Sequence, residues 1–115
     1  MVTECKVKSM VNNDLLSFLT DNDCSEMQFE MLRFIGRHPK AKLSFHVIAK
    51  ALGTASTELG NALMALVQND ILIAEINENG LSTYSLSDNS KIAAYVRELA
   101  ALDWSEAMAL KRLLV

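Results

Sequence analysis

Gly53 falls between two apolar-periodic segments in residues 43–72, LSFHVIAKALGTASTELGNALMALVQNDIL, and this placement leaves few folds open. Ahead of it Ser44 is a candidate N-cap, and Val47, Ile48, Ala51 and Leu52 recur at the spacing of one helical face. A glycine at that point supplies the left-handed conformation that ends a helix. Thr54 is expected to cap the next one, in which Leu59, Ala62, Leu63, Leu66 and Val67 form a buried stripe. Thr57, Asn61, Met64 and Gln68 then lie on the outward stripe. The spacing predicts helices over 44–52 and 55–69 joined by a tight turn. Gly60, inside the second of them, costs about 1 kcal/mol against alanine and is tolerable where a backbone must approach something closely.

The period changes after this pair. Residues 71–76 are rich in β-branched side chains, Asn77-Glu78-Asn79-Gly80 follows, and 81–87 form a second run in which Tyr84 and Leu86 share a face. Asn-Gly between two such runs predicts a hairpin with a type I′ turn at Asn79-Gly80.

Helical patterns flank both sides. Val7, Met10, Val11, Leu15, Phe18 and Leu19 predict an amphipathic helix over 6–19, closed by the polar run at 20–23. Asp23 with Glu26 predicts a capping box opening a helix over 23–37, with Met27, Met31, Leu32, Phe34 and Ile35 as its core face. Its solvated face carries Glu26, Glu30, Arg33 and Arg37, with Glu30 placed to pair with Arg33, and Pro39 ends it. Beyond the hairpin, Ile92, Tyr95, Val96, Leu99 and Leu102 give one stripe. Asp103 with Glu106 caps another segment bearing Ala107, Leu110, Leu113 and Leu114, so a kinked helix pair is expected.

Ile48-Ala49, Leu52-Gly53, Ser56, Leu59, Ala62-Leu63, Leu66 and Asp70-Ile71-Leu72, with the hairpin and its Tyr-x-Leu, resemble the winged helix-turn-helix of small prokaryotic transcriptional regulators, the MarR-like and PadR-like group. The resemblance covers roughly residues 23–87 and departs at Asp70, where the family pattern has Gly. It implies an α+β fold, a three-helix core with a β-hairpin wing plus N-terminal and C-terminal helices. The expected divisions are an N-terminal helix or arm at 1–22, a winged-helix domain at 23–90 and dimerising helices at 91–115. It also implies transcription regulation by a homodimer on double-stranded DNA, the first helix of the pair crossing phosphates and the second reading bases.

At 115 residues, half of them hydrophobic, the chain suits one cored domain. The apolar runs are short and MVTECKVKSM has no signal-peptide core, so a cytoplasmic protein without a membrane partner is expected. Cys5, Cys24, His38 and His46 share no metal-ligand spacing, and no P-loop, nucleophile elbow or GxGxxG is present. No metal, cofactor or catalysis is therefore expected, and the cysteines read as reduced structural thiols. Cys24 has one competing reading: a helix N-terminus would lower its pKa, as in a redox sensor, although Asp23 and Glu26 oppose this.

The net charge of −3 is unevenly spread. Residues 31–57 contain no acid and carry Arg33, Arg37, Lys40, Lys42 and Lys50, whereas 51–90 contain no Lys or Arg and carry Glu58, Asp70, Glu75, Glu78 and Asp88. On DNA, Arg37, Lys40, Lys42 and Lys50 are the phosphate candidates, and Ser56, Thr57, Asn61 and Gln68 the base-reading ones. A second reading starts from the cations missing in the recognition helix and wing. Met64 and Glu78 then belong to a winged-helix protein–protein interaction module that does not bind DNA. Under either reading, the apolar stripes of Val7, Val11, Leu15, Phe18, Ile92, Val96, Leu99, Leu110 and Leu114 exceed one small core and predict a homodimer through the terminal helices.

Overall fold

The computed structural model describes residues 13–54 and 56–114. In chain order the elements are α1 (Asn13–Asp21), α2 (Glu26–Gly36), β1 (Leu43–Ser44), α3 (Phe45–Leu52), α4 (Thr57–Gln68), β2 (Leu72–Ile76), β3 (Ser82–Leu86), α5 (Ser90–Ala101) and α6 (Trp104–Leu113). This is the α+β winged helix-turn-helix, with helices added at both ends. The early part of the expected first helix, with Val7, Met10 and Val11, lies outside the described residues, as does Cys5. No helix among the described residues is long and apolar enough to cross a membrane.

Three helices end by one device. Asp23, Gly53 and Asp70 follow α1, α3 and α4 with φ of 56°, 74° and 62°. In each case the next amide reaches back five residues: Cys24 N–H donates to Leu19 O, Thr54 to Ala49 O and Ile71 to Leu66 O, all at 3.0 Å. These are Schellman closures, which satisfy carbonyls that a helix end leaves open. Two sequence expectations change as a result. Asp23 ends α1 instead of capping α2; the capping box there is Ser25 with Gln28, whose Oε1 accepts from Ser25 N–H at 2.8 Å. Thr54 is spent in closing α3, and Ser56 caps α4.

The core joins α1, α2, α4 and α5. Leu15, Leu19, Phe29, Leu32, Leu63 and Leu99 are fully or almost fully buried in it. α2 and α5 pack tightly at Gly36, where an added Cβ would stand 2.5 Å from Val96 O and 2.7 Å from Ala100 Cβ. The expected solvated face of α2 is instead partly covered. Arg33 does not pair with Glu30; its Nη2 donates to Leu102 O at 2.7 Å and its Nε to Leu99 O at 3.3 Å, satisfying carbonyls where α5 ends. Glu30 accepts from Lys111 of α6, and Glu26 stands 3.5 Å from the same ammonium. The hydrogen bond from Glu30 raises the pKa of Lys111 above its ordinary value. Asp103 and Glu106 form the expected capping box at the α5–α6 kink.

This packing also takes up part of the apolar stripe expected to pair two subunits, of which Val7 and Val11 lie outside the described residues. Leu15, Phe18, Val96, Leu99 and Leu110 are buried within the chain, with Phe18 stacked on Tyr95 at 4.9 Å between centroids, so they are not available to a second subunit.

The sheet has the order β1-β3-β2 and is antiparallel throughout. The β2–β3 register pairs Leu72 with Leu86, Ala74 with Tyr84 and Glu75 with Thr83. Leu86 is buried and Tyr84 packs against the core, as their shared face predicts. β1, unforeseen because two residues show no alternation, pairs Leu43 with Tyr84 and Ser44 with Thr83. The hairpin turn is also different from the expected type I′, since only Gly80 of the Asn-Gly pair has positive φ (80°). Gly80 N–H donates to Asn77 O, Asn77 N–H donates to Leu81 O, and Asn77 Oδ1 accepts from Asn79 and Leu81 N–H. That is a three-residue loop with a bulge at Gly80, closed by the Asn77 side chain.

Candidate nucleic-acid interface

Ser44 and Ser56 start the two helices of the motif in the same way: Ser44 Oγ accepts from Val47 N–H at 3.2 Å, and Ser56 Oγ from Leu59 N–H at 3.3 Å. Each hydroxyl is left with its own proton to donate. α4 then buries Leu59, Ala62, Leu63 and Leu66, which turns Thr57, Asn61, Met64 and Gln68 outward together, all exposed. The outward row is polar except for Met64, which is 49% exposed. Asn61 and Gln68 each offer a paired donor and acceptor, the chemistry that reads an adenine edge. Gly60 does not touch a neighbouring backbone; an added Cβ would meet only the Phe45 ring at 3.9 Å, an ordinary contact.

The four phosphate candidates stand in different surroundings. Lys40 and Lys50 are exposed and make no ion pair among the described residues. Lys50 lines a shallow depression with His46, Gly53 and Thr54. His46 stands beside it because the two are four residues apart on one helix, a neighbourhood that helical period predicts although the sequence reading did not use it. Arg37 opens onto a cleft of about 620 Å³ between α2 and the α3–α4 turn, whose walls include Glu30 and Glu58. Lys42 is paired with Glu75 of β2 at 2.9 Å.

The wing carries no cation on its strands or turn. Glu78 is at its exposed tip, flanked by Ile76 (74% exposed) and Leu81 (52%). Cys24 is buried just ahead of the α2 cap, and burial, with the Asp23 charge, pushes its thiol pKa up to about 11. A nucleophilic, low-pKa thiol is the opposite case. Among the described residues no group of three His, Cys, Asp or Glu side chains is placed to hold a metal.

No protein-family model and no curated protein matches the chain. Solved structures do. A mutant of MepR from Staphylococcus aureus, bound to an oligodeoxyribonucleotide, is similar over 99% of this chain and 94% of its own, at 17% identity and a TM-score of 0.58. MepR, a transcription regulator of the Staphylococcus aureus multidrug efflux pump MepA, matches over 97% of this chain and 93% of its own, at 18% identity and a TM-score of 0.57. The adhesin competence repressor AdcR of Streptococcus pyogenes matches over 99% and 93%, at 20% identity and a TM-score of 0.51. At these identities the likeness is one of fold: the chain is built as these winged-helix regulators are.

Proposed function

We propose that the protein is a DNA-binding transcriptional regulator without catalytic activity, acting as a homodimer that presents α4 to the major groove of double-stranded DNA. The observation that carries this reading is the outward row of α4. Thr57, Asn61 and Gln68 are held free of the core in a fold shared with a protein bound to an oligodeoxyribonucleotide. Ser56 and Thr57 stand at the N-terminus of that helix, where hydroxyls and open N–H groups suit a phosphate. Lys40 and Lys50 supply the remaining attraction, while Arg37 is partly offset by the carboxylates of its cleft.

Binding should be led by the backbone and sensitive to salt. With about two phosphates neutralised per protomer, a dimer should show a log-log salt slope near −4. Titration of a labelled duplex between about 50 and 200 mM salt measures it. Lys50→Gln should weaken all sequences alike, whereas Asn61→Ala should cost about 1–3 kcal/mol at one base pair. No shift at micromolar protein in the lower salt would sink the reading.

The alternative of a protein-interaction module rests on Met64, Ile76 and Leu81, exposed where α4 and the hairpin carry no cation. It predicts that Met64→Glu abolishes capture of a protein partner, while Lys50→Gln leaves that capture intact.

A further inference from the structure

The cation nearest the wing is already engaged. Lys42 lies two residues before Ser44, and Ser44, Thr83 and Glu75 are aligned across the three strands by the registers Ser44↔Thr83 and Glu75↔Thr83. Alternation puts Lys42 on the face they share, opposite to that of Leu43, Tyr84 and Leu72. From there Lys42 Nζ reaches over β3 to Glu75 Oε1 at 2.9 Å. The pair is exposed, with side-chain accessibilities of 64% and 51%, and Ile76, Asn77 and Thr83 complete the depression around it. Lys and Arg are absent from residues 51–90, so neither the strands nor the turn of the hairpin holds another cation.

We infer that Glu75 is an internal competitor for phosphate that tunes DNA affinity: its carboxylate occupies the ammonium of Lys42 that would otherwise let the wing side of the molecule grip the backbone. The inference rests on the DNA-binding reading above. A phosphate approaching Lys42 must displace Glu75 or accept its repulsion, and both reduce the gain from the contact. An exposed ion pair contributes little to stability, so this contact bears mainly on what the surface can bind. Its effect is to leave α4 and the α3 side responsible for most of the affinity.

The test is a four-variant cycle: the parent, Glu75→Gln, Lys42→Gln and the double variant, each titrated against a fluorescein-labelled mixed-sequence duplex across a salt series. All four should melt together, because the pair is exposed. Glu75→Gln should bind roughly three- to tenfold tighter at about 50 mM salt, with a slope steeper by about 1–2 per dimer as each freed Lys42 neutralises a phosphate. Lys42→Gln should cost the Glu75→Gln protein more than it costs the parent, the coupling expected of two groups in contact. Binding by the parent with no gain in Glu75→Gln, or equal losses from Lys42→Gln in both backgrounds, overturns the inference alone. Absence of binding in all four overturns the regulator reading and the inference with it.

Discussion

Asp70 holds a left-handed conformation (φ 62°) at the end of α4, where the pattern that the sequence resembles has glycine. Two small penalties coincide there. A side chain in that region is strained, mildly so for Asp, and a carboxylate meets the negative end of a helix dipole. Asp70→Gly should therefore raise the unfolding free energy by about 0.5–1 kcal/mol, read from urea denaturation. A lowered midpoint would mean that the Asp side chain supplies something a glycine lacks. Cys24 gives a chemical prediction of the same local kind. Because the fold raises its thiol pKa from 9.0 to about 11, it favours the neutral form. Its contribution to stability is full below pH 9.0 and is lost as pH rises through about 11, where the folded thiol also ionises. In a Cys5→Ser background the thiol should ignore a disulfide reagent at pH 8 and react fully in urea. Rapid reaction in the folded protein would restore a sensor role.

The motif helices contain the clearest contrast between what was legible and what was not. Caps at Ser44 and Asp103, the stop at Gly53 and the hairpin around Gly80 could be read because each is written within a few neighbouring residues. Outward placement of Thr57, Asn61 and Gln68 was readable for the same reason, since helical period alone decides it. Arg33, Glu75 and Gly36 could not be read, because their partners are remote: Arg33 bonds Leu102 O across 69 positions, and Gly36 meets Val96 and Ala100. Glycine shows the difference best. Gly60 drew notice in the sequence as a mid-helix glycine that a close approach would justify, and packing puts the close approach at Gly36. Gly60→Ala should accordingly stabilise by up to about 1 kcal/mol, through helix propensity with no clash. Gly36→Ala should destabilise by about 1–3 kcal/mol, because the α5 backbone must move. Thermal or denaturant unfolding of the two variants decides, and equal effects would show that the α2–α5 contact tolerates a methyl group.

The terminal helices raise the question of assembly in a changed form. Most of the apolar stripe that suggested a dimer is consumed inside the chain, where α1 and α6 cover α2 and α5. What remains on α6 is smaller: Trp104, 74% exposed, and Leu113, 51% exposed. A tryptophan that open to water costs free energy that a partner's apolar surface recovers, and aromatic anchors of this kind dominate the energetics of many interfaces. Under the proposed homodimer, Trp104 at the start of α6 is therefore the expected anchor of the pairing surface. Trp104→Ala should weaken dimerisation by about 2 kcal/mol or more, roughly a thirtyfold rise in the dissociation constant, with little loss of fold because the side chain is not in the core. Light scattering across a concentration series measures it. DNA affinity should fall in step, since two half-sites are gripped only by a paired protein. A parent that stays monomeric at hundreds of micromolar would remove the homodimer altogether. A parent that dimerises as tightly as Trp104→Ala would move the interface away from α6.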